Sequence, residues 1–348
     1  MGLTIIKKLP TPEEIIELFP VSFSAYKKII ADQEEVKNIL SGKDNRFLVI
    51  VGPCSAWPYD AALEFAKKLL LLEQKLKHHL KIIMRVYIQK PRTTKGWTGP
   101  VDQPDPFMPP DIEEGIKYCR SLMIKIIEMG LPIANECVLT HNEKGFQKLL
   151  TWIALGSRSS EDQEHRVFAS SIDCAVGVKN PTSGSIEIGV NSVIAVQSAH
   201  AAVFQSHQVK TSGNSYAHLI LRGGDSGPNY FADDLFKAKK LLEANKIQNP
   251  AIIIDASHDN CKINGKKDCA QQAILVRKTL ATLKKNPELQ PIVKGFMIES
   301  FLKEGNQKIE NLTPETVDRN GLSITDPCMS FDQTKNLLYE IADHNIES

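Results

Sequence analysis

The feature that most restricts this chain is a repeated beat. Short apolar runs rich in β-branched residues alternate with stretches of helical spacing, eight times over, from Arg46 onward. The runs are 47–54 (FLVIVGPC), 81–88 (KIIMRVYI), 131–138, 152–158, 175–180, 218–224, 251–258 and 292–300. Continuous apolar runs of this length, bounded by Gly, Pro and Asn, read as strands buried on both faces. Helical patterns follow nearly all of them, over 60–76, 111–129, about 142–149, from about 161, 232–244, 268–283 and 332–346. Parallel strands need long crossovers, most often a helix. Eight such units predict an α/β fold of the (β/α)8 TIM-barrel type rather than an open doubly wound sheet. No GxGxxG follows the first strand, which counts against a dinucleotide fold.

Two stretches fall outside the beat. Residues 1–45 read as an N-terminal arm, broken early by Pro10 and Pro12 and then carrying an amphipathic helix over 22–40; the arm is expected to pack outside the barrel or on a neighbouring subunit. Residues 46–348 form the barrel domain. Within it, about 184–214 is more chain than one crossover needs, and a helix plus a small β insertion between barrel strands 5 and 6 is expected. A net charge of +1 over 348 residues excludes a general nucleic-acid or anionic-membrane footprint. No run of 18 apolar residues spans a membrane. The mixed polar start MGLTIIKKLP is no signal peptide, and Ile6 stands where a myristoylation start needs a hydroxyl. Seven cysteines without a CxxC pair then point to a cytoplasmic protein with reduced thiols.

The chemistry lies at the strand ends. A TIM barrel carries its active site at the C-terminal ends of its strands. Those ends read Cys54; Arg85, Lys90 and Arg92; Glu136; Arg158; Lys179; Arg222; His258; and Glu299. The second run continues into Lys90, Arg92, Thr93, Thr94, Lys95 and Gly96, a set of cations, hydroxyls and a glycine that suits a doubly charged phosphate. Arg85 sits inside the strand and needs a partner, because a buried unpaired charge is costly. Two groups separate. Arg85, Lys90, Arg92, Arg158, Lys179 and Arg222 suffice for two phosphates, or for a phosphate and a carboxylate. Cys54, His258 and Glu299, joined by an Asp, are ligands for a divalent transition metal. Singly, each has a plainer role: Cys54 as a small buried hydrophobe, His258 as a cap on a carbonyl, Arg158 and Lys179 as partners of nearby acids. Together they predict a metal-assisted barrel enzyme acting on small phosphorylated substrates.

The blocks around these residues resemble a known family. GPCS (52–55), MRVYxxKPRTTxGWxG (84–99), GSRSSEDQxHR (156–166), VGxKNxTxG around Lys179, TSGN (211–214), HxILRGG (218–224), IDxSH (254–258), ESxLxEGNQ (299–307) and SITDPC (323–328) are similar to type I 3-deoxy-D-arabino-heptulosonate 7-phosphate (DAHP) synthase, in its feedback-regulated microbial group. The likeness covers roughly residues 40–345. It implies condensation of phosphoenolpyruvate with D-erythrose 4-phosphate, the first step of the shikimate pathway to aromatic amino acids. It implies Cys54, His258, Glu299 and Asp326 as metal ligands, for Mn, Fe, Co or Zn. It implies Arg158, Lys179 and Arg222 at the phosphoenolpyruvate phosphate, Arg85 and Lys90 near its carboxylate, Arg92 and Thr93 at the aldose phosphate, and Ser157 among the substrate-binding residues. Glu136 would serve water and proton transfer, His258 would support the chemistry as well as the metal, and Lys90 would be the general acid, its pKa lowered among cations. An aromatic amino acid effector and a homodimer or homotetramer also follow from the likeness.

The chain departs from the family pattern in places. Ala56, Trp57 and Pro58 follow GPCS where Ile-His-Asp is usual, and Cys137-Val138-Leu139 stands where Phe-Leu-Asp is usual. Phe301 replaces a common His, Gln89 a usual Glu, and the region between His200 and Asn214 is short and lacks Thr-Lys-x-Gly. These departures leave open a paralogue using another aldose phosphate, or a catalytically silent regulatory barrel.

Overall fold

The computed structural model describes residues 2–92, 96–137, 143–204 and 207–347. Along the chain its strands are β1 (Phe47–Gly52), β2 (Leu80–Arg85), β3 (Ile133–Cys137), β4 (Trp152–Leu155), β5 (Ala175–Lys179), β6 (Ala201–Phe204), β7 (His207–Lys210), β8 (His218–Leu221), β9 (Ile252–Asp255), β10 (Lys262–Ile263), β11 (Lys266–Lys267) and β12 (Val293–Glu299). Its helices are α1 (Pro12–Leu18), α2 (Phe23–Leu40), α3 (Tyr59–Leu76), α4 (Ile112–Glu128), α5 (Glu143–Gln147), α6 (Gln163–Ala169), α7 (Ile186–Gln197), α8 (Ala232–Ala244), α9 (Ala270–Lys285) and α10 (Phe331–Glu347). Eight strands close a parallel barrel in the order β1-β12-β9-β8-β5-β4-β3-β2, while β6–β7 and β10–β11 are antiparallel hairpins. The expected barrel is therefore observed. Between β5 and β8 the chain forms α7 and the β6–β7 hairpin.

Why the barrel strands read as unbroken apolar runs is visible in the packing. Alternate residues point to opposite faces of a strand. Val49, Val51, Ile82 and Met84 face outward into a shell shared with Phe65, Leu69, Leu72 and Met123 of the helices. Leu48, Ile50, Ile83, Trp152, Ile220, Ile253 and Met297 face inward and fill the barrel. Trp152 and Tyr87 are large for this space, and Ala134, Ala154 and Ala175 beside them are small. Gly177 completes the fit, since a Cβ there would lie 2.2 Å from the Trp152 ring. Each buried large aliphatic side chain contributes about 1.5–3 kcal/mol.

The arm is packed more tightly than an appendage. Val36, Ile39 and Leu40 of α2 join the interior cluster, next to the first residues of β1, β4 and β5, and so close the N-terminal end of the barrel. Lys81 in β2 is buried and reaches Asp32 at 2.7 Å and Glu35 at 3.0 Å on the same helix. The helix starts where expected, with the Ser22 hydroxyl accepting from Ala25 N–H. The early break does not survive. Pro12 stands at the first position of α1, where no helical partner is lost, and Thr11 and Glu14 form a capping box around it. No helix among the described residues is long and apolar enough to cross a membrane.

Candidate active site

The alternation that fills the barrel also builds its mouth. Continuing each inward-facing register by two to four residues leads from Ile50 to Cys54, from Ile83 to Arg85, from Ala134 to Glu136, from Ala175 to Lys179, from Ile220 to Arg222, from Ile253 to Asp255 and from Met297 to Glu299. Apolar residues at the start of a strand and polar ones at its end thus share one face. A cavity of about 280 Å³ opens there, lined by Cys54, Lys90, Pro91, Arg92, Glu136, Ser157, Arg158, Lys179, Arg222, His258, Lys267, Thr325 and Asp326. Nearly every residue singled out in the sequence meets in this one space.

The sulfur of Cys54 and carboxylate oxygens of Glu299 and Asp326 all lie within 4.8 Å of one another. His258 stands beside them, its Nε2 at 4.0 Å from Glu299 Oε1. Its other nitrogen, Nδ1, faces Asp255 at 2.8 Å and the Ser257 hydroxyl at 2.7 Å, a second layer of the kind that orients a metal-bound imidazole. His258 takes a left-handed backbone, φ 54°, which turns the chain sharply after β9. Glu299 is clamped at the main chain by Gln272 of α9, its N–H donating to Oε1 at 2.8 Å and its carbonyl accepting from Nε2 at 2.9 Å. Its Oε2 is buried with no partner among the described residues. An orphaned buried carboxylate oxygen is expensive unless a cation completes it. The donor set and this atom fit a divalent metal. Asp326 arrives from a long loop stitched to the barrel through Phe301 N–H to Met329 O at 2.9 Å and Gln307 N–H to Ser323 O at 2.8 Å.

The remaining residues divide by depth. Lys179 and Arg222 are almost buried, while Arg92 and Arg158 lie exposed at the rim. Lys179 Nζ lies 3.6 Å from Glu136 and 3.8 Å from Asp255. Burial works against the charge of Glu136, but Lys179 and Lys90 outweigh it and hold the carboxyl below its usual range. Gly156 is the residue that admits it, because a Cβ there would come within 2.4 Å of Glu136 Oε1. Lys90 donates to the Cys54 carbonyl at 2.8 Å.

Three expectations need correction or restriction. Burial does pull the Lys90 ammonium down, but Cys54, Glu299 and Glu136 outweigh it, so its pKa is raised rather than lowered. Arg85 is not at the cavity wall. It is fully buried, pairs with Glu299 at 2.9 Å and stacks at 4.0 Å over the Tyr87 ring, with NH1 unpartnered among the described residues. Thr93 lies outside the described residues, as do Val138 and Leu139.

Sequence reading also passed over three acids and bases of the mouth. Asp255 obeys the same alternation as Glu136 and was legible from it. Lys267 reaches Asp326 at 2.5 Å from the β10–β11 hairpin, whose Asn264–Gly265 turn has positive φ at both positions. The Asn-Gly pair is a strong hairpin signal that marked this element in advance. Asp259, next to His258, pairs with Arg222 and with Lys262.

The sequence profile of the DAHP synthetase I family matches residues 22–338. The chain belongs to that family. It is 36% identical over 338 residues to a Tyr-sensitive phospho-2-dehydro-3-deoxyheptonate aldolase of Salmonella typhimurium, covering 96% of this chain and 92% of the relative. It is 36% identical over 343 residues to a Trp-sensitive phospho-2-dehydro-3-deoxyheptonate aldolase of Enterobacter agglomerans, covering 97% and 95%. A solved structure of phospho-2-dehydro-3-deoxyheptonate aldolase from Francisella tularensis superposes with a TM-score of 0.92 at 34% identity over 99% of both chains. The enzyme is accordingly a transferase with DAHP synthase activity, at the first step of the shikimate pathway to aromatic amino acids. The family is generally metal-dependent, and Cys54, Glu299 and Asp326 offer this member a site.

Proposed function

We propose that this mouth joins phosphoenolpyruvate to D-erythrose 4-phosphate with water, releasing DAHP and phosphate. The observation that carries the residue assignment is a single cavity in which six cationic side chains, Lys90, Arg92, Arg158, Lys179, Arg222 and Lys267, meet Cys54, His258 and Asp326. Two phosphorylated substrates, one of them also a carboxylate, need such a surplus of positive charge. Cys54, His258, Glu299 and Asp326 would hold a divalent transition metal, with Mn, Fe, Co and Zn all compatible with one nitrogen, one sulfur and two carboxylates. Bound there, it would supply Lewis acidity to the aldehyde oxygen of the aldose.

The protein groups then have distinct tasks. Arg158, Lys179 and Arg222, with Ser157, hold the phosphate of phosphoenolpyruvate, and Lys90 faces its carboxylate, with Arg85 buried behind the wall and paired with Glu299. Arg92 and Thr93 hold the aldose phosphate. C3 of phosphoenolpyruvate forms a bond to the aldehyde carbon, and the oxygen left with the electron pair takes a proton from Lys90, whose charged neighbours keep it protonated. Water adds at C2 with Glu136 receiving one proton, and the C2–O bond to phosphate breaks as the new C2 hydroxyl becomes the carbonyl and its proton leaves with the phosphate. Lys90→Ala is expected to abolish turnover while bound metal stays at the wild-type ratio. An active Lys90→Ala enzyme would remove Lys90 from this role.

The surroundings fit a cytoplasmic oligomer. Cys54, Cys119, Cys174, Cys261, Cys269 and Cys328 are buried thiols outside any disulfide. Leu3, Ile5 and Ile6 of the arm are more than nine-tenths exposed, and Val203 on β6 is 81% exposed. We assign these apolar side chains to a contact with a second copy of the chain. The relatives' Tyr-sensitive and Trp-sensitive names make an aromatic amino acid the effector to test.

A further inference from the structure

Arg222 leaves β8 with its side chain almost buried, and NH1 donates to the Asp259 carboxylate. Asp259 is itself only 6% exposed and also accepts from Lys262, the first residue of the β10–β11 hairpin. Nε of Arg222 is buried with no partner among the described residues. A guanidinium held at NH1 keeps its Nε–NH2 edge free, and that edge is the one that grips a phosphate or carboxylate with two parallel bonds. Arg222 also lines the cavity.

The main chain enforces this arrangement. Asp259 N–H donates to the Arg222 carbonyl at 3.1 Å, and Asn260 Nδ2 donates to the Leu221 carbonyl at 3.0 Å. Arg222 N–H in turn donates to Asn180 Oδ1 at 2.9 Å. The turn after His258 can lie this close because residue 223 is glycine. A Cβ at Gly223 would meet Asn260 N at 2.7 Å, and its φ of +74° is left-handed. The carboxylate therefore stands at a fixed place behind the arginine. With Lys262 on its other side, it adds no unbalanced negative charge to a site that must bind anions.

We propose that Asp259 is a positioning residue of the phosphate subsite: it grips Arg222 by NH1 and presents the Nε–NH2 edge to the phosphate monoester of phosphoenolpyruvate. This rests on the reading above that Arg222 binds that phosphate. Without the grip, binding must also order a free arginine, a cost that corresponds to about a 3- to 10-fold loss per immobilised long side chain.

The test is a pair of KM values measured on the metal-loaded enzyme. Asp259→Ala should raise KM for phosphoenolpyruvate by about 3- to 10-fold, with KM for erythrose 4-phosphate unchanged and kcat reduced by less than KM rises. Asp259→Glu, which keeps an ionised acceptor, should recover most of that loss. Asp259→Asn, which keeps the shape, gives the same comparison should the alanine variant fail to fold. Arg222→Lys separates the two claims. If it leaves KM for phosphoenolpyruvate unchanged, the phosphate assignment itself fails. If Arg222→Lys raises that KM while Asp259→Ala and Asp259→Asn leave it unchanged or lower it, the positioning role alone is overturned. Equal rises for both substrates in the Asp259 variants would also overturn it.

Discussion

At the scale of single residues, His218 shows how a titratable side chain can serve packing alone. It begins β8 inside the barrel, fully buried. Its Nε2 accepts from Trp152 Nε1 at 3.2 Å, and its Nδ1 faces the Tyr216 carbonyl at 2.9 Å as a donor. Accepting at Nε2 needs the neutral ring, and burial lowers its pKa from 6.5 to about 4 against the opposing pull of the Tyr216 carbonyl. The unfolded chain takes up this proton near pH 6.5 and the folded chain only near 4. Stability is therefore whole above pH 6.5 and falls as pH drops toward 4, by up to about 3 kcal/mol from this residue. Denaturant midpoints at pH 7.5 and 5 should separate more for the wild type than for His218→Gln; an equal separation would show that His218 is not responsible. Residues such as Glu136, Lys179 and Arg222 were legible because one alternation carries the apolar interior into the polar mouth. Asp259 was not, since its worth depends on which cation the turn after β9 meets. Lys90 misled for a related reason: its pKa answers to Cys54, Glu299 and Glu136, three chain segments that no local reading brings together.

Among elements, α2 has a larger part than its place in an N-terminal arm implies. It closes the barrel end opposite the active site, with Val36, Ile39 and Leu40 in the interior cluster. The amphipathic pattern located this helix almost to the residue, but nothing in the pattern named the surface it covers. Lys81 decides that docking. It is buried in β2 between Asp32 and Glu35 of the helix, and its removal strands the Asp32 carboxylate with only the half-exposed Lys28. Lys81→Ala is expected to destabilise the fold by about 3 kcal/mol, the usual cost of breaking a buried pair from one side. Unfolding in urea measures this, and a loss below about 1 kcal/mol would place the pair with ordinary surface ion pairs. α1 escaped notice because a proline was read as a stop, although at the first helical position it is a start. The β10–β11 hairpin escaped notice behind the helix that follows it, despite its Asn-Gly turn.

For the whole molecule, the family match over residues 22–338 and the barrel tie the residue pattern to one reaction. The departures from the family pattern have structural substance. Trp57 is buried, donates to the Pro104 carbonyl at 3.0 Å and packs edge-on at 6.4 Å to Trp97. Phe301 packs into the outer shell 6.1 Å from the Phe65 ring. Gln89 donates to Asp102 at 3.2 Å. These changes rebuild the walls and leave Cys54, His258, Glu299 and Asp326 in place, which favours an active enzyme over a silent barrel. The measurement that tests this most directly is consumption of phosphoenolpyruvate with erythrose 4-phosphate and Mn²⁺, with and without EDTA. The predicted result is turnover that EDTA removes and added Mn²⁺ restores. Turnover indifferent to EDTA, or none from enzyme that holds its metal, would contradict the account.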